Sequence, residues 1–245
     1  MFFTSEPRIK PGEKVIDNVY YFGESGMLDC NQYIIKDDAK DELSLIDAGN
    51  GLSLNGLIEG MKQFNLDFNN LTRVYITHEH VDHVIGLYKL HGMLNKSLKI
   101  CAYGETVKIL REGIVSKIFP GRLGIGPEMF KVKVVPLKVY ELENSCRIGQ
   151  FEFKILHTPG HSPNSICYYE LNKKILIPGD LVFIGGSFGR FDFPGGSLPK
   201  LIESISRVND LDVEYLLPGH MGISKEGNND IKMSFRMVKS IGSYY

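Results

Sequence analysis

The chain carries seven histidines, His78, His80, His83, His91, His157, His161 and His220, and three of them crowd into Thr77-His78-Glu79-His80-Val81-Asp82-His83. Packing seldom calls for such a cluster. Imidazole nitrogens and carboxylate oxygens are the ligands that zinc and its first-row neighbours favour, and alternate side chains on one turn can address separate ions. Three later segments close on the same residue types: Thr158-Pro159-Gly160-His161, Pro178-Gly179-Asp180 and Pro218-Gly219-His220. In each, the polar residue follows a glycine, which opens backbone conformations closed to other residues and permits close approach to an ion. One Pro-Gly-His is an ordinary turn; the recurrence of such endings after apolar runs implies a shared metal centre. A divalent ion can lower the pKa of bound water to about 7 and polarise a carbonyl, so metal-assisted hydrolysis is the chemistry these residues suit.

Such residues need elements to hold them, and the apolar pattern supplies an alternation of strands and helices. Strands are expected over Val15 to Phe22, Asn31 to Ile35 and Leu43 to Asp47, then a helix over Ser53 to Phe64, where Leu54, Leu57, Ile58 and Met61 recur at helical spacing. Leu71 to Thr77 reads as a strand running into the histidine cluster, followed by a helix over Val81 to Leu94, a strand over Leu98 to Tyr103 and a helix over Glu105 to Phe119. Arg122 to Met129, with two glycines and a proline, reads as a surface loop beside a site. The second half repeats the rhythm with strands over Val132 to Leu137, Phe151 to His157, Ser165 to Glu170, Lys174 to Ile177 and Val213 to Leu217. Helices are expected over Leu198 to Val208 and Lys225 to Ser240. His157 reads as a strand histidine packed or hydrogen-bonded near the site, His91 as a helix-surface residue, and Glu79 as a variable position without a ligand role.

The order of these segments resembles the metallo-β-lactamase fold superfamily, and the resemblance covers nearly the whole chain. Five separated segments match in order: Asp47 in Asp47-Ala48-Gly49, the HxHxDH of His78 to His83, His161, Asp180 and His220. The resemblance implies an α/β fold, a four-layer αββα sandwich of two mixed sheets with helices outside, and a dinuclear metal site at one sheet edge. Carried over by position, one ion is expected on His78, His80 and His161, and a second on Asp82, His83 and His220, with Asp180 bridging both. Asp47 is expected to orient the ligands through hydrogen bonds. Asp82 is further expected to act catalytically by steering the attacking hydroxide. Two divalent ions would carry more charge than Asp82 and Asp180 neutralise, leaving a positive field that favours bound hydroxide. Zinc is the expected metal, with iron or manganese accepted by the same ligands.

The stretch from Gly179-Asp180 through Gly189-Arg190-Phe191-Asp192-Phe193-Pro194-Gly195-Gly196 is similar to the glyoxalase II-like branch, which also includes persulfide dioxygenases. That similarity implies hydrolysis of a thioester such as a hydroxyacyl glutathione, or of a related acyl ester. Arg190 stands where that branch holds the thiol's carboxylate, and a guanidinium fork suits the task; an ion pair with Asp192 is its competing role. Only 245 − 220 = 25 residues follow His220, so the expected form is the short one, without the branch's C-terminal helical domain. The tyrosine of that pattern after the last histidine is also missing, because Met221-Gly222-Ile223 follows His220. The same scaffold leaves two alternatives, a persulfide dioxygenase with one iron on His78, His161 and Asp180, and a lactonase.

Composition narrows the partners. With 28 Lys+Arg against 29 Asp+Glu and 43% hydrophobic residues in 245, the chain has ordinary globular composition and lacks the basic excess of a phosphate-backbone binder. A small-molecule substrate is expected, with neither nucleic acid nor membrane as partner, and the sequence leaves the oligomeric state open. No apolar run reaches the roughly 18 residues of a membrane span, and Met1 to Pro7 lacks the basic and apolar regions of a secretion signal, so the expected location is cytoplasmic. Cys30, Cys101, Cys146 and Cys167 form no CxxC pair and are expected to be buried, reduced thiols. One domain over 1–245 is expected from the length.

Overall fold

The computed structural model describes residues 9–94, 98–121 and 124–242. Met1 to Pro7 and the first two residues of the Arg122 to Met129 loop fall outside the described residues. One sheet runs in order β1 (Gly12–Ile16), β2 (Val19–Phe22), β3 (Gln32–Asp37), β4 (Glu42–Ile46), β5 (Leu71–Tyr75), β6 (Lys99–Ala102) and β7 (Val139–Glu141). Its strands are antiparallel as far as β4 and parallel beyond it. The other sheet runs β8 (Ser145–Ile148), β9 (Phe151–His157), β10 (Ile166–Glu170), β11 (Ile175–Gly179) and β12 (Tyr215–Pro218). Only its β11–β12 pair is parallel.

Period-two alternation explains why the sheets stack. Ile34, Leu45, Val74 and Ile100 point outward into an apolar layer shared with the helices α1 (Leu54–Lys62), α3 (Leu87–Met93) and α4 (Glu105–Glu112). Tyr33, Ile35, Ile46 and Tyr75 point the other way, onto Phe153, Ile155, Tyr168 and Ile177 of the second sheet. The opposite face of that sheet, with Cys167, Tyr169 and Leu176, packs on α6 (Leu198–Asn209) and α7 (Gly227–Gly242). These three apolar layers make the αββα sandwich, and each fully buried large side chain in them contributes about 1.5–3 kcal/mol. Among the described residues no helix is long and apolar enough to cross a membrane.

The departures from the sequence expectation have local causes. Val15 to Phe22 is a hairpin, because Asn18 adopts φ 67° and turns the chain so that Ile16 pairs with Val19, a conformation asparagine tolerates. Val81 to Leu94 divides into α2 (Val81–Val84) and α3. There Gly86 donates its N–H to the Gly49 carbonyl at 2.9 Å instead of continuing the helical ladder. Glu105 to Phe119 is broken by Gly113, left-handed at φ 67° after α4, and resumes as α5 (Val115–Ile118). Val132 to Leu137 is not a strand: Val132 and Val134 pack partly on the outer apolar layer, Pro136 lacks an N–H to give a neighbour, and the strand forms later, as β7.

Gly86 also sets how closely α2 and α3 approach the turn after β4. A Cβ on it would collide with the Ala48 carbonyl and lie 3.0 Å from the Gly49 oxygen. Gly86→Ala is expected to destabilise the fold by about 1–3 kcal/mol through overpacking. Urea denaturation should register this as a lowered midpoint at an unchanged slope.

Candidate metal centre

The histidine cluster runs from the connection after β5, which carries His78 and His80, into α2, which carries Asp82 and His83, and its partners arrive from other strand ends. His161 follows β9, Asp180 follows β11 and His220 follows β12, while Asp47 directly follows β4. The two sheets are tied together at this edge, where the Tyr168 hydroxyl donates to the Ile76 carbonyl at 2.9 Å and the Ile166 N–H to the Thr77 carbonyl at 3.0 Å. Two glycines allow the final approach. Gly179 adopts φ 53° against Thr77, and a Cβ on Gly219 would run into the Asp180 carboxylate.

The result is two adjoining ligand sets, His78, His80 and His161 in one, and Asp82, His83, Asp180 and His220 in the other. His80 Nδ1 and His161 Nε2 face each other at 2.8 Å. Asp180 lies between the sets, with Oδ2 3.4 Å from His161 Nε2 and 3.2 Å from His220 Nε2, and Oδ1 3.2 Å from His83 Nε2. Asp82 Oδ2 is 3.2 Å from His220 Nε2. His78 Nε2, His83 Nε2 and Asp180 Oδ1 are buried and make no hydrogen bond among the described residues. Orphaned atoms of this kind are costly without a partner, and their types and convergence fit divalent ions. The cluster is capable of holding a dinuclear metal site.

The far side of four rings is pinned, which fixes where the inward nitrogens point. His83 Nδ1 is 2.8 Å from Asp47 Oδ2, His161 Nδ1 is 2.6 Å from the Arg190 carbonyl, and His78 Nδ1 is 3.0 Å from Thr77 Oγ1. His220 Nδ1 meets Glu24 Oε2 at 2.8 Å. Asp47 lies behind the His83 ring. It is buried at φ 56° and accepts from the Thr77 N–H at 2.9 Å and the Thr77 hydroxyl at 2.8 Å. A strained backbone at such a position is held only by what surrounds it.

Sequence reasoning missed Glu24, which no periodicity or motif marks. Its loop is anchored from below by Asp29, which pairs with the fully buried Lys10 at 2.7 Å and accepts from the Ser25 N–H and the Ser53 hydroxyl. Glu79 takes no ligand place but is buried, accepting from Thr106, Ser162 and Asn164 and so binding the cluster to the His161 segment. His157 lies outside the two sets, exposed and 2.9 Å from the Pro163 carbonyl, and His91 is exposed on α3. Arg190 is exposed at the mouth, its fork engaged by Asp192 at 2.9 and 2.7 Å and its guanidinium 4.4 Å over the Phe193 ring. All four cysteines are free thiols, Cys30 and Cys167 buried as expected but Cys101 and Cys146 only half-buried, and burial pushes the Cys30 thiol up to about 11.

The electrostatics differ between the two sets when no ion is bound. Burial pushes the His80 pKa down to about 3 and holds His78 well below the ordinary value, with the neighbouring histidines adding to both. Both rings are neutral at pH 7 with lone pairs free. Burial opposes charge on His220, but Asp180, Asp82 and Glu24 raise its pKa well above the imidazole range. Burial likewise opposes charge on His83, which Cys30, Asp180, Asp47 and Asp82 raise strongly. The two carboxylates counted from the sequence are thus four once Asp47 and Glu24 are included, and the second set attracts positive charge strongly.

The family model of the metallo-beta-lactamase superfamily matches residues 25–220, and the chain belongs to that family. It is 33% identical over 215 residues to the hydroxyacylglutathione hydrolase GloC of Haemophilus influenzae, covering 86% of this chain and 94% of that protein. It is 32% identical over 156 residues to the acyl-coenzyme A thioesterase MBLAC2 of Bos taurus, covering 59% of this chain and 54% of that one. Among solved structures, TTHA1623 in a di-iron-bound form superposes with a TM-score of 0.65 at 26% identity, covering 84% of this chain and 94% of that one.

Metal uptake should therefore depend on pH in a definite sense. His83 and His220 hold protons at pH 7 in the metal-free protein, so filling their set releases protons and its affinity falls as pH falls. His78 and His80 have none to lose. Acidification is expected to empty the Asp82, His83, Asp180 and His220 set first, as metal content after dialysis at stepped pH would register. Glu24→Gln is expected to weaken that set's affinity by about 10–100-fold and to reduce the protons released, measured by titration calorimetry in buffers of different ionisation enthalpy.

Proposed function

We propose that this chain is a metal-dependent hydrolase that cleaves an acyl thioester. The observation that carries this reading is the convergence of seven imidazole and carboxylate side chains, five of which, His80, Asp82, His161, Asp180 and His220, line a cavity of about 340 Å³. Divalent ions held there supply an acidified water and a Lewis acid for the acyl carbonyl. Asp82, part of the cavity lining, is proposed to orient the attacking water and take its proton. The names of the relatives support the reading, since one is a hydroxyacylglutathione hydrolase and another an acyl-coenzyme A thioesterase.

Arg190 lines the same cavity and is proposed to hold a carboxylate on the thiol half of the substrate. Asp192 occupies Nε and one terminal nitrogen of its fork, which orients the guanidinium and leaves its remaining donors for the ligand. Zinc is the metal proposed, and the cytoplasm the location. Metal analysis of protein purified without added metal, with oxygen uptake followed during turnover, tests the reaction. About two zinc ions per chain and oxygen-independent thioester cleavage are expected. One iron with oxygen consumed on a persulfide would make the chain a sulfur dioxygenase instead. Arg190→Ala should raise KM for a carboxylate-bearing thioester by about tenfold, the size of one charge-assisted hydrogen bond, with kcat little changed.

A further inference from the structure

Apart from the ligand set, the cavity wall is hydrocarbon. Leu28, Phe119, Ile125, Phe183, Phe188 and Phe193 face it, and among the described residues one other charged side chain, Arg190, lines it, part of its fork held by Asp192. Among the described residues no Ser, Thr, Asn, Gln, Tyr or Lys lines it. A hydroxyl carried in on the acyl group would leave water with no side-chain partner beyond the ligands and Arg190, whereas each methylene would leave water for apolar contact.

Leu28 adds an independent observation. Its backbone sits at φ 51°, a left-handed conformation that Gly, Asn or Asp adopts more readily than a branched aliphatic residue. A leucine there lines the cavity and packs partly on the outer apolar layer, so apolar surface stands at a backbone position that favours other residues. Asp29, next in the chain, is locked by Lys10 at 2.7 Å, so the loop has little freedom to relax.

Resting on the thioester reading, we infer that the acyl half of the substrate is an unsubstituted hydrocarbon chain lying against this wall, and that Leu28 helps to set that specificity. The reaction itself is unchanged: water adds to the acyl carbon, the carbon–sulfur bond breaks, and a carboxylic acid and a thiol leave.

The test uses the metal-loaded protein with acetyl, butyryl, hexanoyl and octanoyl thioesters of one thiol, and separately measures the affinity of the corresponding free carboxylates. Both kcat/KM and carboxylate affinity are expected to rise about fourfold per methylene, the equivalent of 0.8 kcal/mol, until the cavity is full. The 2-hydroxyhexanoyl thioester should be about tenfold poorer than hexanoyl. Leu28→Asn, which suits the left-handed backbone, should keep or raise the melting temperature while cutting the octanoyl-over-acetyl preference by about tenfold. A purely structural role for Leu28 would lower the melting temperature and leave the preference intact. Chain-length profiles that are flat or falling in both measurements overturn the inference while leaving the hydrolase reading in place. If no thioester is cleaved yet carboxylate affinity climbs with chain length, the hydrolase reading falls and the apolar acyl site stands.

Discussion

Ring nitrogens facing one another at 2.8 Å, as His80 and His161 do, with a carboxylate wedged between two further imidazoles, form an arrangement that no local preference favours. Left empty, the cluster has buried atoms without hydrogen bonds and can relieve them only by taking up cations, either protons or metal. The surrounding structure holds this cluster in place. The sandwich provides the framework, because strands that end along one edge bring their following residues to nearly the same point.

Holding the directions of the side chains requires a further layer. Asp47, Glu24, Thr77 and the Arg190 carbonyl each grip the outer nitrogen of one ring, so the inward nitrogens are aimed before any ion arrives. Behind them, Lys10 with Asp29 and Glu79 with Thr106, Ser162 and Asn164 fasten the loops that carry these grips. A buried pair such as Lys10–Asp29 is weak evidence of net stability, since desolvation offsets much of the attraction. Its contribution here is to give the loop of Glu24 and Leu28 one position.

The residues that converge on the candidate site were legible because metal chemistry restricts residue type and the sandwich restricts order: His78 to His83, His161, Asp180 and His220 stand out after apolar runs. Glu24 was not legible. It stands 196 positions from the ring it orients, and an acidic residue in a polar loop carries no pattern of its own. The strand expected over Val132 to Leu137 shows a related limit, since alternation reports which side chains face a core and not whether the backbone has a neighbour to pair with. Helix breaks at Gly86 and Gly113 were visible only as glycines, because what diverts Gly86 is a carbonyl 37 positions earlier in the chain.

Because Asp180 and His220 come from the second sheet while Asp82 and His83 come from the first, the site is a seam that closes late in the history of each molecule. A chain emerging at about 5–20 residues per second displays its early histidines well before strands β11 and β12 exist to complete the second set. The pairing of such distant segments also belongs to the slow, non-local part of folding. Maturation thus has a built-in sequence: the three-histidine half lacks only His161, the other half waits for the last strand, and metal captured early would meet an incomplete cage.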